Sequence, residues 1–439
     1  MRAVRWTAAG ALALAAVVGP VGLGAQAGGA GASSASAAAG ARAGVAGAAS
    51  ASTRITRADA IASAIARGSR LAIARADTSL ARAGLLAARQ FENPSAGISY
   101  SKSVPQEHYS LDIPLDLPWL RSARVGSAES MRASAQHRFA YERRALEFEV
   151  DTAYTRALAG RARARLSHRT AVDADSLLTL AQLRRDAGDG SELDVQLASV
   201  SAGQMANAAA ADSLDALSAL LALQVTMGLP GDAVTVAPSD SLTIADGAVG
   251  GSAASGSAEA VTPLLVAAAQ ADVLAADQAL TLEKRRLVSG AALSVGWEAR
   301  DPSGGETGTL PTVGLSLPLP LFNRNSAAIV GAQAQLDRAR AQLAETRLEM
   351  GAAVTLARRA AASTADRAAR SGRLVASADR VATLSLTAFR EGAAALPNVL
   401  EAQRTAREAL AQYINDVAAA RNAAGLLQLL TLTTNGSNP

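Results

Sequence analysis

The side chains able to do chemistry are few in this chain, and their spacing assembles no reaction centre. His108, His137 and His168 are scattered, and a lone histidine on a helix is ordinarily structural or solvated. No phosphate-cradling loop, no His-Glu-x-x-His and no nucleophile elbow occurs. There is no cysteine, which excludes disulfides, thiolate metal sites, cysteine nucleophiles and an N-terminal lipid on cysteine. The expectation is a protein that is no enzyme, with no cofactor and no metal site. The carboxylates that stand out are Glu192 and Asp194, just after the breaker Gly188-Asp189-Gly190. There they fall in the first turn of a helix, where negative charge is favoured. A second break stands at Gly392, with Pro397 in the first turn of the helix beyond it, ordinary capping chemistry. Both glycines serve the turn geometry itself.

The two breaks are 204 residues apart, and the same offset runs without a gap through the chain between the hairpins and the breaks. Leu111-Asp112-Ile113-Pro114-Leu115-Asp116-Leu117 becomes Leu315-Ser316-Leu317-Pro318-Leu319-Pro320-Leu321. Phe139, Leu146 and Ala153 fall on Leu343, Met350 and Ala357, and Val195 and Ala198 on Val399 and Ala402. Such repetition marks two supersecondary units that complete their packing together.

Composition indicates long helices. The 439 residues hold 14 prolines and only 3% aromatics, with alanine, leucine, arginine and glutamate prominent. The pI near 9.8 invites a nucleic-acid reading, but the net charge is only +4 and acids are interleaved with the arginines. That is a solvated helical surface, so no nucleic-acid partner is expected. Arg2 and Arg5 precede an apolar run from Ala8 to Leu23, and Ala25-Gln26-Ala27 supplies a small-x-small pattern. Residues 1–27 therefore read as an export signal. No other segment offers the ~20 consecutive strongly apolar residues of a spanning helix. An exported chain of this kind that crosses a membrane must use strands.

The Gly-, Ala- and Ser-rich residues 28–53 read as disordered, and a first repeat follows over 54–230. It holds a helix from Ile55 to Gln90, a β-hairpin over 95–114, a helix from Arg121 to Ala187 and a return helix from near Ser191 to Gly228. Residues 231–260 read as an equatorial linker with a short strand near Val234–Val236 or Leu242–Ile244. The second repeat, 261–432, holds a helix over Pro263–Leu287, a hairpin over 291–318, a helix over Asn325–Glu391 and a last helix to about Leu430. A polar tail occupies 433–439. The long helix of the first repeat runs for 67 residues, ~100 Å at 1.5 Å per residue. The two shorter helices flanking it sum to a similar length, so laid end to end they can run antiparallel beside it. Each half then supplies two rods, one continuous and one broken.

Leu336, Leu343, Met350 and Ala357 recur every seven residues, as coiled-coil packing requires. From the heptads alone an ordinary coiled coil is the preferred reading. The hairpins argue for a barrel. Leu293, Val295 and Trp297 alternate with Ser294, Gly296 and Glu298, and Tyr109, Leu111 and Ile113 alternate with His108, Ser110 and Asp112. Apolar-out, polar-in strands are what a membrane barrel needs, because lipid offers the backbone no hydrogen bonds. Phe91, Tyr100, Tyr109, Trp119, Trp297 and Phe322 lie in or beside these hairpins, where interfacial rings belong. Four strands cannot close a membrane barrel, for which eight is the usual minimum. Several chains must contribute.

This pattern resembles the TolC-type outer-membrane efflux channels over essentially everything after residue 54. The matching features are Asn93-Pro94 before the first hairpin, Ile113-Pro114-Leu115 and Leu317-Pro318-Leu319 at the strand ends, the paired turns at Gly188 and Gly392, and Pro320-Leu321-Phe322-Asn323-Arg324-Asn325. The last stretch is most similar to the CzcC-like heavy-metal branch. The resemblance implies a mainly α fold with β-hairpins. Its long coiled-coil helices form a periplasmic α-barrel, and four strands per chain join a trimeric twelve-stranded barrel in the outer membrane of a Gram-negative-type bacterium.

The implied function is that of an exit duct. It conducts cargo passively from a periplasmic adaptor and an inner-membrane pump, for which the RND type is a candidate. Pro114 and Pro318, unable to donate to a ladder, would mark the strand-to-helix transition. By position, the periplasmic gate falls on Asp194, Asn398 and Glu401, so that one expected carboxylate is an amide. Tip turns and adaptor contacts fall on Gly188, Ser191, Leu193, Val195, Gly392, Leu396 and Val399. The competing expectation is a periplasmic coiled-coil adaptor or scaffold, which would lack the amphipathic strand pairs.

Overall fold

A computed structural model describes residues 53–102, 106–232, 234–242, 262–286, 290–299, 310–319 and 322–432. The expected export signal, all of 28–53 except Thr53, most of the 231–260 linker, the hairpin turns, Pro320-Leu321 and the 433–439 tail lie outside the described residues. The chain opens with β1 (Thr53–Ile55), α1 (Arg57–Arg67) and α2 (Ser69–Arg89). Strands β2 (Ser95–Tyr100) and β3 (Glu107–Pro114) lead to α3 (Pro118–Asp186) and α4 (Glu192–Thr226). Then come β4 (Val236–Pro238), α5 (Leu264–Arg285), β5 (Ala292–Ala299), β6 (Leu310–Ser316), α6 (Ser326–Arg390) and α7 (Leu396–Leu430).

The continuous rods are α3, of 69 residues, and α6, of 65. Each is ~100 Å long. The heptad stripe of α6 is covered in two stretches: Leu336 packs with Leu280 of α5, while Met350 and Ala357 pack with Val266 of α5 and Leu430 of α7. The seams are built from small side chains. A Cβ added at Gly160 of α3 would stand 3.2 Å from the Ala216 Cα of α4, closer than all but the tightest side-chain contacts.

Three sequence expectations are corrected. The single helix expected over Ile55–Gln90 is a strand followed by two helices that part at Gly68, whose extended backbone (φ −65°, ψ 122°) interrupts the turn. The amide of Gly68 still closes α1 on the Ala64 carbonyl. Strand β1 escaped notice because its partner is remote: Thr53, Arg54 and Ile55 pair in parallel with Val236, Ala237 and Pro238. Finally, α4 is long and apolar enough by composition to cross a bilayer. Runs of alanine make it so, and alanine is also what allows α4 to lie close along α3.

Beneath the β1–β4 ribbon Tyr154 of α3 is buried, its hydroxyl donating to the Ile55 carbonyl at 3.0 Å. Asp151, one turn away, pairs with Arg57 of α1. Burial pushes its carboxyl above the ordinary range, against the opposing charges of Arg57 and Arg421. This joint ties β1 and α1, the first long rod and α7 together.

The sequence offset reappears as a polar clasp between each rod and its return helix. Ser167 of α3 donates to Asp212 of α4, and at the duplicate positions Ser371 of α6 donates to Asp416 of α7. Only the second clasp is reinforced. Asp416, 1% exposed, also accepts from Arg367 Nε at 2.8 Å and Gln412 Nε2 at 2.9 Å. Arg163, the counterpart of Arg367, leaves a buried Nε without a partner. Asp416→Ala is therefore expected to cost about 3 kcal/mol, and Asp212→Ala about 1. Thermal unfolding of the two variants should rank them in that order.

Candidate functional site

The rods place two specialised ends far apart. One is the turn end, where α3 meets α4 and α6 meets α7. Each long helix is closed by a glycine in the left-handed region, Gly188 at φ 84° and Gly392 at φ 76°. The bonding is the same in both. Gly188 and Asp189 donate to the Arg185 and Arg184 carbonyls, and Gly392 and Ala393 to those of Phe389 and Ala388. This paired pattern satisfies the last carbonyls of a helix and requires a residue that tolerates positive φ.

The helix starts beyond the two turns differ. Ser191 accepts the Asp194 amide at 3.1 Å, while the Asp194 carboxylate accepts the Ser191 amide at 3.3 Å and its hydroxyl at 2.8 Å. Asp194 is thus the third-position member of a capping box. In α7 the cap is Ala395, with no side-chain bond, and proline follows in the first turn. The Asp194-to-Asn398 difference between the repeats accompanies this exchange of one capping device for another. Glu401 lies one turn past Asn398 on the exposed side of α7, and its charge helps raise the Arg404 pKa after the larger effect of Glu408. Glu192 is held below the usual carboxylate range, first by the Gln196 amide and then by Arg185.

Of the remaining turn residues, Val195, Leu396 and Val399 are buried together with Leu177, Ala181, Ala198 and Phe389. Their side chains form the small core that binds the four helix ends. Leu193, 67% exposed, is the one that projects. Two further residues tie this end together and went unnoticed in the sequence. Arg184 of α3 lies over the Phe389 ring, 4.7 Å from its centroid, and donates to the Phe389 carbonyl at 3.1 Å. That link joins the last turn of the first rod to the last turn of the second. The available signal was the exchange of Arg184-Arg185 in the last turn of the first rod for Ala388-Phe389 in the last turn of the second.

The other end is an antiparallel sheet in the order β2-β3-β5-β6. Tyr109 pairs with Ile98 and Trp297, Leu111 with Ala96 and Val295, and Leu293 with Ile113 and Leu315. These residues share one face, on which the Tyr109 and Trp297 rings stack at 5.3 Å. The opposite face carries the rows Gly97-Ser110-Gly296-Thr312, Ser95-Asp112-Ser294-Gly314 and Ser99-His108-Glu298-Leu310. Ile98 and Val313 are each 77% exposed, so the apolar face has no cover among the described residues. Pro114 ends β3 opposite Ala292, and Pro318 stands two residues past β6. Phe91, with Arg121 stacked 4.1 Å from its ring centre, and the exposed Trp119 and Phe322 lie on the helix side of the sheet. No group of three or more His, Asp or Glu able to hold a metal occurs among the described residues.

Known structures share this architecture. The outer-membrane channel OprN superposes with a TM-score of 0.68 at 18% identity, over 85% of this chain and 89% of that one. VceC, an outer membrane protein of Vibrio cholerae, gives 0.68 at 17% identity, over 85% of this chain and 96% of that one. The chain carries the fold of the outer-membrane efflux channels. A curated relative of this channel-fold protein, the nickel-cobalt-cadmium resistance protein NccC of Alcaligenes xylosoxydans xylosoxydans, is 30% identical over 264 residues. That match takes in 60% of this chain and 58% of the relative's length. No family model matches.

The capping box makes a prediction. Ser191→Ala should quicken hydrogen exchange of the Asp194 and Val195 amides about fivefold, the usual worth of a cap. The first turn of α7, which has no side-chain cap to lose, should be unchanged in the same experiment.

Proposed function

We propose that the chain is one third of a trimeric outer-membrane duct that passes cargo from the periplasm to the exterior. The observation that carries this reading is the sheet. It has an uncovered apolar face, a polar face, and two edge strands, β2 and β6, each paired on one side only. In lipid an unpaired edge would leave a row of backbone groups unsatisfied. The strands alternate in direction, so β6 of one copy can meet β2 of the next with antiparallel pairing throughout. Three copies then close twelve strands.

Strands β3 and β5, of 8 residues each, are ~26 Å long at 3.3 Å per residue, about the height of the apolar band of such barrels. Tyr109 and Trp297 near the turns, with Trp119 and Phe322 at the helix end, would mark its two interfaces. On this reading the repeats 54–230 and 261–432 each supply a sixth of the ring, and the rods extend into the periplasm as an α-barrel. An apolar groove of about 940 Å³ between α2 and α3, lined by Ile73, Leu80, Met131 and Phe139, supports lateral packing of copies.

The turn end is the entrance, met by a periplasmic adaptor and served by an inner-membrane pump. Leu193 is its projecting apolar contact. Asp194, Asn398 and Glu401 line the gate, and the Arg184–Phe389 link holds the two turns together. A relative named for nickel, cobalt and cadmium resistance favours divalent metal ions as cargo, with the choice among them made by the pump.

Deleting both hairpins, 95–114 and 291–318, should abolish ion conduction by the purified protein in planar bilayers. Undiminished conductance would sink the duct reading, as would recovery of the intact protein only in soluble periplasmic fractions. At the entrance, Glu401→Ala combined with Asp194→Ala should raise single-channel conductance. An unchanged value would remove both residues from the gate.

A further inference from the structure

The polar face of the sheet has an unusual charge content. The chain contains 42 lysines and arginines, yet none stands on that face among the described residues of the four strands. Its ionisable groups there are His108 and Asp112 on β3 and Glu298 on β5. The nearest neighbours on this face are otherwise small: Gly97, Ser99 and Ser110, Ser294 and Gly296, Thr312 and Gly314. A Cβ at Gly296 would come within 2.6 Å of the Tyr109 carbonyl, so the ladder itself requires glycine there. All three ionisable groups are half-buried on this face.

His108 and Glu298 are direct cross-strand partners, and imidazole Nδ1 lies 3.4 Å from the carboxylate Oε1. From just past the end of β2, Ser101 Oγ approaches Nε2 at 3.4 Å. On the β6 side the register partner of Glu298 is Leu310, which brings no charge. Asp112 lies four residues along β3, ~13 Å away, and accepts from Ser294. Lys102 is in the turn beyond β2, and Glu107 is on the other face of β3. His108 is the second residue of β3 from the turn, so the pair stands at the outer rim, behind the Tyr109–Trp297 stack.

We propose that His108, paired with Glu298, is a pH-responsive determinant of charge selectivity at the outer mouth of the duct. This rests on the duct reading, in which the polar face lines the bore and three copies bring three His–Glu pairs to one ring. With the imidazole neutral, the described charge on this face is that of two carboxylates per chain. A proton on His108 cancels one of them. Imidazole is the side chain that changes charge between pH 5 and 8, so the bore should favour cations at pH 8 and lose much of that preference toward pH 5.5.

The test is the reversal potential of the purified full-length channel in planar bilayers across a potassium chloride gradient. For the parent, the cation-to-anion permeability ratio should fall by roughly twofold between pH 8 and pH 5.5. His108→Gln should flatten that dependence and hold the ratio near its pH 8 value throughout. Glu298→Gln should lower the ratio at pH 8, and the double variant His137→Gln/His168→Gln should behave as the parent. A parent ratio that does not change with pH, or an undiminished pH response in His108→Gln, overturns the proposal while leaving the duct intact. Absence of any channel in the parent would instead overturn the duct reading, and this inference with it.

Discussion

A helix of ~100 Å carrying an apolar stripe must be covered along its whole length, and most of this architecture follows from meeting that requirement twice. No other described helix exceeds 35 residues, so each long rod needs partners placed end to end. For α6 these are α5 and α7, joined to it through the β5–β6 hairpin at one end and the glycine turn at the other. For α3 they are α1, α2 and α4, with α5 packed along it as well. Small residues along the seams allow the close approach, and the buried serine–aspartate clasps hold rod and return helix in register. The chain reverses only where the rods end, and that leaves the sheet at one extremity and the turns at the other.

The two repeats diverge where their surroundings differ. Along the rods they share a packing problem and keep similar solutions. At the turn end they share the glycine closure and the buried valines Val195 and Val399 but differ in how the return helix is capped. The first return helix is capped by Ser191 and Asp194, the second by backbone and proline alone. One rod contributes Arg184 and the other Phe389, whose counterparts at the 204-residue offset are Ala388 and Arg185, so the contact is made once and not twice. Differences in charge reinforcement, as between Asp416 and Asp212, make the second rod pair the more firmly clasped.

The sheet shows how one ladder can serve two media. Alternation of side chains gives it a face of valine, leucine, isoleucine and stacked aromatics and a face of glycine, serine and threonine carrying a few ionisable groups. The first suits hydrocarbon and the second suits water, and the arginines so abundant on the helices are missing from both in the described strands.

Much of this was legible in the sequence because it is local or periodic. The 204-residue offset, the proline-free runs that became α3 and α6, the strand alternation and the glycine turns depend on a residue's own conformational preferences and on spacings of 2, 3.6 or 7. Only the tertiary structure decided which remote segments meet. It placed Thr53–Ile55 against Val236–Pro238, whereas the break at Gly68 and the Ser191–Asp194 capping box are local features. It joined Arg184 to Phe389 and His108 to Glu298. Those pairings link residues far apart along the chain or across separate hairpins, and no periodicity records them. A contact between distant residues is chosen by the packing of whole elements, whereas a helix, a turn or an alternating strand is written into its own few residues.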